Sequence, residues 1–318
     1  MSAKIAFINN TALGDALIDL LFIEYLVQSN IEVTLYSNIM MKIAAFLPYI
    51  SVKPIDQLIE SPDYDLFLIS WNRPMMLKLL RDARFKHKVI VVNEPSQREY
   101  LLSQNIVVNK PTILTDHPVL QSLVDHWDQL EYSPKQRLNQ LDGIDKLARD
   151  VLGVMNPRRQ IHYVIPDDWV YRKNKKQIVI CHSSAVIKRQ WNPKKFSVLA
   201  SRLKKNGFDP VFLLAPGEVC PDVIAQHRHE TLLLGDALRL IYESRCFVGN
   251  NSGLVHLASS LRIPAVNIFS KKAKSHKLWE PAFYQCQNLE PAFSLWPAAN
   301  CRRNLVSVRT VFKRVCAM

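Results

Sequence analysis

Short apolar runs alternate with helix-like patterns of apolar and polar residues along most of the chain. Runs that predict β-strands lie at residues 4–9, 31–36, 65–70, 88–92, 177–181, 210–214, 231–234, 246–248 and 264–269. Apolar positions with helical spacing lie between them, at residues 16–28, 38–46, 74–82, 193–205, 221–228, 236–244 and 252–260. Strands and helices that alternate in this way predict an α/β fold with parallel sheets and right-handed crossovers.

A connector in the middle of the chain predicts two domains. Residues 166–176 are rich in proline, polar and basic residues, a composition typical of a linker. We therefore assign residues 1–165 to an N-terminal domain and residues 177–300 to a C-terminal domain. Residues 301–318 are assigned to a closing helix because their apolar residues have mostly helical spacing; the core of the first domain is one candidate for its packing partner.

The composition fits a globular protein. The 318 residues are 48% hydrophobic and 22% charged, so they can build sizeable cores and do not resemble a disordered chain. No apolar stretch approaches the ~20 residues that a membrane-spanning helix needs. The first four residues lead directly into a strand-like run, which is unlike a signal peptide. The six cysteines include no Cys-x-x-Cys pair and no zinc spacing.

The net charge of +13 is concentrated in the second half of the chain. Residues 1–165 hold 17 Lys and Arg against 18 Asp and Glu, whereas residues 166–318 hold 24 against 10. A basic half suits an anionic ligand, an anionic membrane surface or both. Nucleic acid is the rival partner. The chain shows no aromatic RNA-binding motif, zinc finger or helix-turn-helix signal, so we expect no nucleic acid.

A turn late in the chain predicts a site for a phosphorylated ligand. The apolar run that ends at Val248 leads into Asn251-Ser252-Gly253, and a helix begins at once. Asn and Ser side chains can cap the first N–H groups, Gly253 lets the backbone approach a ligand, and His256 adds a donor. The N-terminus of a helix attracts phosphate. The alternative is a simple capped helix that carries a half-buried histidine.

A similar strand–turn–helix unit opens the chain. A strand at residues 4–8 is followed by a turn from Asn9 to Asp15, and a helix is predicted from Ala16. The turn contains no Gly-x-Gly-x-x-Gly fingerprint, so it does not predict a dinucleotide site. Asp15 lies at the carboxyl edge of the first strand, where ligands of open α/β sheets bind. The alternative is an acid that only complements the helix dipole.

Three motifs together resemble those of glycosyltransferase family 9, the lipopolysaccharide heptosyltransferases. The segment Thr11-Ala12-Leu13-Gly14-Asp15 is similar to the family's opening motif. Residues 251–258, Asn-Ser-Gly-Leu-Val-His-Leu-Ala, are similar to its second hallmark, Asp-(Thr/Ser)-Gly-x-x-His-(Leu/Ile)-Ala. The segments His182-Ser183-Ser184 and Lys188-Arg189-Gln190-Trp191 are similar to a third motif, in which a basic residue stands two positions before a tryptophan. The resemblance covers most of the chain in order and spacing.

The resemblance implies a GT-B architecture, in which two Rossmann-like domains with parallel sheets face each other across an interdomain cleft. It also implies an inverting, metal-independent glycosyltransferase. In such an enzyme a carboxylate takes the proton of an acceptor hydroxyl while a diphosphate leaves the nucleotide-sugar. The sequence shows no Asp-x-Asp near the end of a predicted strand and no His/carboxylate spacing for Mg²⁺ or Mn²⁺, so we expect no metal and no cofactor.

Part of the resemblance concerns catalysis and the leaving diphosphate. By this correspondence Asp15 is the general base. Ser183 and Ser184 are hydroxyl donors near the phosphates. Arg189 takes the place of the family's basic residue, with Lys188 beside it as a second candidate, and either neutralises the diphosphate.

The rest of the correspondence concerns the nucleotide and the sugar. Glu218 matches the position that hydrogen-bonds the ribose. Ser252, Gly253 and His256 would hold phosphate or sugar at the helix N-terminus. Asn251 departs from the family pattern, because an Asp that binds sugar hydroxyls usually stands there. Because of this change, a nucleotide-sugar with a different sugar remains an alternative donor.

By the same resemblance the first domain would bind the acceptor, a phosphorylated or Kdo-bearing lipid A core. Thr11 and Gly14, which are close to Asp15 in the sequence, are candidate acceptor-binding residues. A basic cluster between two predicted strands could meet acceptor phosphates or carboxylates. Its members are Arg73, Lys78, Arg81, Arg84, Lys86 and Lys88. The alternative is a solvated helix face. A lipid-linked acceptor implies a cytoplasmic enzyme that docks peripherally on the anionic inner face of the inner membrane.

These expectations combine in one function with two alternatives. We expect transfer of heptose from ADP-heptose to the inner core of lipopolysaccharide, on a Kdo- or heptose-bearing lipid A acceptor. The first alternative is the same fold with another nucleotide-sugar donor for a surface glycan. The second is a non-catalytic protein that binds a nucleotide or a glycan. Asp15 argues against the second, since a protein without turnover needs no carboxylate at that edge.

Overall fold

The computed structural model divides into two compact units, Met1–Val164 and Ile165–Met318. The structure describes residues 3–9, 12–60, 63–70, 72–92, 100–113, 115–130, 139–184, 190–215, 217–219, 228–230, 233–269, 277–291 and 305–318. In these ranges no helix is both long and apolar enough to cross a membrane.

The first unit is built on a five-stranded sheet with the order β3-β2-β1-β4-β5, and all neighbouring strands are parallel. The strands are β1 (Ala3–Ile8), β2 (Ile31–Tyr36), β3 (Ser51–Lys53), β4 (Leu66–Ser70) and β5 (Val89–Val92). Every residue of β4 is buried, and so is every residue of β1 except Lys4. Such apolar strands are typical of parallel sheets that are covered on both faces.

Four α-helices with both ends among the described residues accompany this sheet. They are α1 (Leu13–Gln28), α2 (Arg73–Arg81), α3 (Pro118–Asp125) and α4 (Gln140–Asp150). Shorter 3₁₀ helices lie at Met40–Phe46, Ile55–Glu60 and Lys86–Lys88. Residues 16–26 of α1 are all buried, so this helix is the centre of the first core.

Two buried polar groups on α1 connect it to the end of the first unit. The Tyr25 hydroxyl donates to Asp145 Oδ1 at 2.8 Å, and Arg159 Nε donates to Asp145 Oδ2 at 2.7 Å. The Glu24 carboxylate accepts from the backbone N–H of His162 at 2.8 Å and from the Tyr49 hydroxyl. A buried carboxylate is tolerated only when hydrogen bonds satisfy it, so both acids are held by partners.

The second unit is built on a six-stranded parallel sheet with the order β11-β10-β9-β6-β7-β8. Its strands are β6 (Asn174–Cys181), β7 (Asp209–Leu214), β8 (Arg228–Glu230), β9 (Ser244–Asn250), β10 (Ala265–Ile268) and β11 (Cys286–Leu289). Its helices are α5 (Pro193–Lys205), α6 (Leu234–Tyr242), α7 (Gly253–Ser260) and α8 (Val308–Cys316), with a 3₁₀ helix at Lys277–Trp279. The predicted alternation of strands and helices is therefore present in both units.

The C-terminal helix α8 completes the second core. Val311 and Val315 are fully buried in the same cluster as Ile180, Phe196 and Val248. The first domain was one candidate partner from the sequence. In the structure, the core of the second unit is the packing partner of the buried valines of α8.

Several boundaries differ from the predicted ones. Helix α1 begins at Leu13, so Gly14 and Asp15 lie in its first turn and not in a preceding turn. Strand β6 begins at Asn174, inside the predicted linker 166–176. Strand β8 occupies Arg228–Glu230, where the sequence predicted the end of a helix followed by a strand at 231–234. The edge strands β3 and β11 were not predicted, because runs of three and four residues with polar members give almost no periodic signal.

Candidate functional site

The carboxyl ends of the central strands of the second sheet bring three predicted segments together. Cys181 at the end of β6 pairs with Gly249 of β9. The segment His182-Ser183-Ser184 therefore leaves the sheet beside Asn250, the residue before the Asn251-Ser252-Gly253 turn. Ligands of parallel α/β sheets bind at this edge.

Gly249 is required for this close approach of β6 and β9. A Cβ at this position would lie 2.9 Å from Phe247 Cε1 and 3.1 Å from the carbonyl oxygen of Cys181. Both contacts are tighter than side chains normally make. Glycine at this position therefore lets the two strand ends lie side by side.

Asn250 joins the two ends of the loop between β6 and α5. Its side chain is fully buried. Its Oδ1 accepts a hydrogen bond from the Trp191 backbone N–H at 2.7 Å, and its Nδ2 donates to the His182 carbonyl oxygen. The sequence reasoning missed this residue, because Asn250 reads as part of a polar turn although it is the last residue of β9.

Two further side chains fix the same loop. Gln190 Nε2 donates to the Ser184 carbonyl oxygen at 3.0 Å. The fully buried Trp191 donates from Nε1 to the Val306 carbonyl oxygen at 3.0 Å, and its ring lies edge-on to Phe196 at 4.8 Å. Trp191 is thus a packing residue. Lys188 and Arg189 lie outside the described residues, but both flanks of their segment are anchored.

The turn before α7 does not use the predicted side-chain cap. Ser252 is the N-cap residue of α7, yet its side chain makes no capping hydrogen bond. Its Oγ is buried and has no hydrogen-bond partner among the described residues. The Asn251 N–H donates to the Ile268 carbonyl oxygen at 3.3 Å, and the Val255 N–H donates to the Ser252 carbonyl oxygen at 3.2 Å. The N-terminus of α7 is therefore not blocked by a serine or asparagine side chain, and anions are attracted to such a helix end.

His256 lies in the first part of α7 and is 5% exposed. Its Nδ1 is buried without a hydrogen-bond partner in the described part of the chain. Burial lowers the pKa of His256 to about 4, because a charged imidazole is disfavoured away from water. The side chain is therefore a neutral imidazole near pH 7.

This buried imidazole predicts a loss of stability in acid. The folded-state pKa of about 4 lies below the unfolded value of about 6.5. The contribution of neutral His256 to the unfolding free energy is therefore complete above pH 6.5. It decreases as the pH falls towards 4, by on the order of 3 kcal/mol.

Urea unfolding of the wild type and of His256→Gln at pH 7 and pH 4.5 measures this contribution. We expect a smaller pH dependence of the unfolding free energy in His256→Gln, while the exposed-residue control His87→Gln behaves like the wild type. An equal pH dependence in all three proteins would contradict this assignment.

Glu218 lies at the same edge, after β7. Its Oε2 accepts from the Ala215 N–H at 2.9 Å, so the side chain folds back on its own loop. Burial lowers the pKa of His182, and the negative charge of Glu218 opposes this shift. Glu218 and His182 follow two neighbouring strands of the sheet, β7 and β6. Ser183 and Ser184 are half-buried beside them, so the ends of β6, β7 and β9 gather the described donor-side residues at one edge.

In the first unit, Asp15 lies half-buried in the first turn of α1, three residues after the N-cap residue Ala12. Gly14 is within the helix, and Thr11 lies outside the described residues. The adjacent strand ends carry buried polar groups that the sequence reasoning missed. The side-chain amide of Asn9 and the hydroxyl of Ser70 are fully buried and have no hydrogen-bond partners in the described ranges. The edge that carries Asp15 is therefore polar.

The predicted basic cluster is divided between the two ends of α2. Arg73 is at the start of α2, next to the end of β4, and its guanidinium lies 4.5 Å from the centre of the Tyr100 ring. Arg81 is in the last turn of α2. Arg84 follows it and forms an ion pair with Asp82 at 2.7 Å. Because Lys88 leads into the start of β5, Arg81 and Arg84 are near the amino edge of the sheet. The structure brings Arg73, but not Arg81 or Arg84, to the edge where Asp15 lies.

The sequence Leu-Gly-Asp-Ala-Leu opens two different helices. It spans residues 13–17 at the start of α1 and residues 234–238 at the start of α6. In both helices the N-cap side chain makes no hydrogen bond and the acid lies in the first turn. Asp236 is exposed, whereas Asp15 is half-buried. Local sequence alone therefore does not define a catalytic acid.

Within the described ranges, no group of three or more His, Cys, Asp or Glu side chains is placed to hold a metal ion. The described groups at the carboxyl edge of the second sheet that can attract an anion are the N-terminus of α7 and the hydroxyl groups of Ser183, Ser184 and Ser252. These can bind a phosphate without a metal.

Comparisons with known proteins bear on the family and the fold. A model of glycosyltransferase family 9 (heptosyltransferase) matches residues 80–291. The structures of E. coli ADP-heptose LPS heptosyltransferase II and of a family 9 glycosyl transferase from Veillonella parvula DSM 2008 each align with a TM-score of 0.67. Both are 14% identical to this chain, and the alignments cover 99% of this chain and 98% of theirs.

The structure of E. coli heptosyltransferase WaaC with ADP aligns with a TM-score of 0.62 at 12% identity, over 99% of both chains. Comparison with curated protein sequences finds no match. At these identities the structural likeness shows the fold, an α/β fold of the GT-B type. The family match extends over more than half of the chain, and the chain therefore belongs to glycosyltransferase family 9 and is a glycosyltransferase.

Proposed function

We propose that this glycosyltransferase transfers heptose from ADP-heptose to the inner core of lipopolysaccharide, with inversion and without a metal. The acceptor is a Kdo- or heptose-bearing lipid A. The observation that carries the proposal is the uncapped N-terminus of α7 beside the anchored β6–α5 loop. Two structures with similar folds are described as an ADP-heptose LPS heptosyltransferase and as a heptosyltransferase with ADP, which supports an adenine nucleotide.

The second unit supplies the donor site in this proposal. The diphosphate of the donor lies at the N-terminus of α7, where the backbone N–H groups of the first turn and the helix dipole stabilise its charge. The Ser252 hydroxyl, which has no partner among the described residues, donates to a phosphate or sugar oxygen. Lys188 and Arg189 neutralise the leaving diphosphate, and Ser183 and Ser184 donate hydrogen bonds to it.

The remaining donor-side residues recognise the nucleoside and the sugar. Glu218 accepts from the ribose hydroxyls, which requires its carboxylate to exchange the Ala215 N–H for the ligand. The neutral imidazole of His256 and the backbone at Gly253 contact the phosphate or the sugar. Asn251 meets the sugar hydroxyls, and its amide donates as well as accepts. This residue favours a second candidate function, the same reaction with a different nucleotide-sugar.

The first unit supplies the base and the acceptor site. Asp15 takes the proton of the acceptor hydroxyl as the new bond forms at the anomeric carbon. Thr11, Gly14 and Arg73 are proposed to hold the acceptor, because Arg73 is the member of the predicted basic cluster placed at the Asp15 edge. Arg81 and Arg84 are left out of this site. The lipid-linked acceptor implies a cytoplasmic enzyme at the inner face of the inner membrane.

Nucleotide binding tests the donor assignment. The protein is titrated with ADP, UDP, GDP and CMP, each with and without Mg²⁺, and its thermal midpoint is followed. A nucleotide at ~100 times its Kd adds about 2.7 kcal/mol to the unfolding free energy. We expect a shift with ADP that does not depend on Mg²⁺. A shift with UDP or GDP in place of ADP would discard ADP-heptose, and no shift at all would discard the donor site.

A pair of variants locates this binding. Lys188→Gln/Arg189→Gln is expected to reduce the ADP-induced shift, because two cations that face the diphosphate are lost. The matched control is Lys173→Gln/Lys175→Gln, which removes two exposed cations at the opposite end of β6. Equal shifts for both variants would remove Lys188 and Arg189 from the donor site.

A further inference from the structure

Two neighbouring helices of the second unit carry basic side chains and no acidic ones. Helix α5 contains five Lys and Arg residues and α8 contains three, and neither helix contains an Asp or a Glu. The helices pack side by side. The Arg202 guanidinium lies 4.5 Å from the centre of the Phe312 ring, and Lys195 Nζ donates to the Val306 carbonyl oxygen at 3.0 Å. Their cations therefore form one surface.

This surface, the α5–α8 basic face, is turned to solvent. Its exposed cations are Lys194, Arg202, Lys205, Arg309, Lys313 and Arg314. No ion pair with an acid is formed by any of the six within the part of the chain that the structure describes. Unpaired cations of one sign on adjacent helices create a positive potential that reaches beyond the surface.

Three of these cations line one groove on the α5–α8 basic face. It has a volume of about 280 Å³. The described residues that line it are Arg309, Thr310, Lys313, Arg314 and Ala317. Three cations and a hydroxyl around one groove can bind the oxygens of a phosphate group, because hydrogen bonds between a cation and a phosphate are stronger than those between neutral groups.

The face is larger than a soluble phosphate and partly apolar. Helix α5 has 13 residues, so its row of cations extends over about 20 Å. Val198 lies within that row and is 56% exposed. A broad basic surface with an exposed apolar side chain matches the interface of an anionic bilayer, where headgroup phosphates meet the first hydrocarbon atoms.

We propose that the α5–α8 basic face docks this enzyme on a membrane surface of anionic phospholipid headgroups. The groove at Arg309, Lys313 and Arg314 holds headgroup phosphates, and Val198 contacts the acyl boundary. Because α5 begins directly after the β6–α5 loop, the docked membrane lies beside the proposed donor edge. This proposal rests on the proposed function in one respect: it names the surface by which the enzyme reaches a lipid-linked acceptor.

Vesicle binding tests the proposal in the absence of any nucleotide-sugar. The full chain is sedimented with vesicles of phosphatidylethanolamine and phosphatidylglycerol, and with phosphatidylcholine vesicles, at low and high salt. The variant is Arg309→Gln/Lys313→Gln/Arg314→Gln. The control is Lys42→Gln/Arg149→Gln/Arg158→Gln, which removes three exposed cations of the first unit and the same net charge.

We expect the wild type and the control to bind the phosphatidylglycerol vesicles, with weaker binding at high salt. The α8 variant should bind about 100-fold more weakly, since each cation near an anionic surface contributes about 1 kcal/mol. Equal binding of the α8 variant and the control would overturn the proposal. So would equal binding of the wild type to both vesicle types, or its release by millimolar inorganic phosphate, which would identify a site for a soluble anion.

The same variant separates this proposal from the proposed function. Transfer to a detergent-solubilised acceptor should be as fast in the α8 variant as in the wild type, because the donor and acceptor sites are intact. An inactive wild type that still binds anionic vesicles through α8 would refute the heptosyl transfer and leave the docking surface standing. A variant that transfers normally and also binds vesicles normally would refute the docking surface alone.

Discussion

Replacing Asp15 with Asn is expected to slow sugar transfer by about 10²–10⁴-fold while ADP binding stays unchanged. Asn has nearly the same shape as Asp and keeps the first turn of α1, but it cannot take the proton of the acceptor hydroxyl. Asp15→Ala should give the same loss of transfer. Rates with saturating donor and acceptor, together with the ADP-induced shift of the thermal midpoint, measure the two effects separately.

The chain provides its own control for Asp15. Asp236 occupies the same place in the second copy of Leu-Gly-Asp-Ala-Leu, in the first turn of α6. Asp236→Asn removes the same favourable interaction with a helix dipole, which is worth about 0.3–1 kcal/mol. Its transfer rate should match that of the wild type. If both variants lose transfer equally, or if Asp15→Asn loses ADP binding and keeps transfer, Asp15 is not the base.

Replacing Asn250 with Ala is expected to cost on the order of 3 kcal/mol of unfolding free energy and to weaken ADP binding. The variant leaves the Trp191 N–H and the His182 carbonyl oxygen buried without the partner that joins them. The loop that carries Lys188 and Arg189 then loses its anchor on β9. Urea unfolding and ADP titration of the same preparation measure the two losses.

Asn267 is a matched control for Asn250. It is also a fully buried asparagine, on the neighbouring strand β10, and its Nδ2 donates to Asn288 Oδ1 at 2.9 Å. Asn267→Ala should lower stability without changing ADP affinity. Asn250→Asp retains an oxygen for the Trp191 N–H and should recover part of the ADP affinity. Normal ADP affinity in Asn250→Ala would show that the hydrogen bonds of Asn250 do not position the β6–α5 loop.

The central part of the fold could be predicted from the sequence because its strands are long apolar runs. Strand β2 was predicted with the bounds observed, and so was helix α5. The start of α1 was predicted three residues too late. Its N-cap residue, Ala12, has no side chain that can cap a helix, so the sequence contains no start signal there and Leu13 and Gly14 were assigned to the turn. Boundaries of this kind depend on backbone geometry that single residues do not encode.

The site was less predictable because it depends on which strand ends are neighbours. Two consecutive asparagines, Asn250 and Asn251, look alike in the sequence. The strand includes the first, whose side chain faces the β6–α5 loop, and the second begins the turn. Arg81 and Arg84 were grouped with Arg73 by their spacing, yet a nine-residue helix separates its ends by about 13 Å. Proximity in sequence was therefore a poor guide to proximity at the edge.

The long-range hydrogen bonds at the far end of α1 have a consequence for how the chain folds. Tyr25 is bound to a residue 120 positions away, and Glu24 to one 138 positions away. Contacts of such sequence separation carry a large loop-closure entropy and slow folding. During synthesis, Glu24 can meet the Tyr49 hydroxyl early, but its partner His162 and the Tyr25 partner Asp145 are absent until those residues have left the ribosome. The helix that presents Asp15 at one end thus gains its full set of hydrogen bonds at the other end only when nearly all of the first unit has been made.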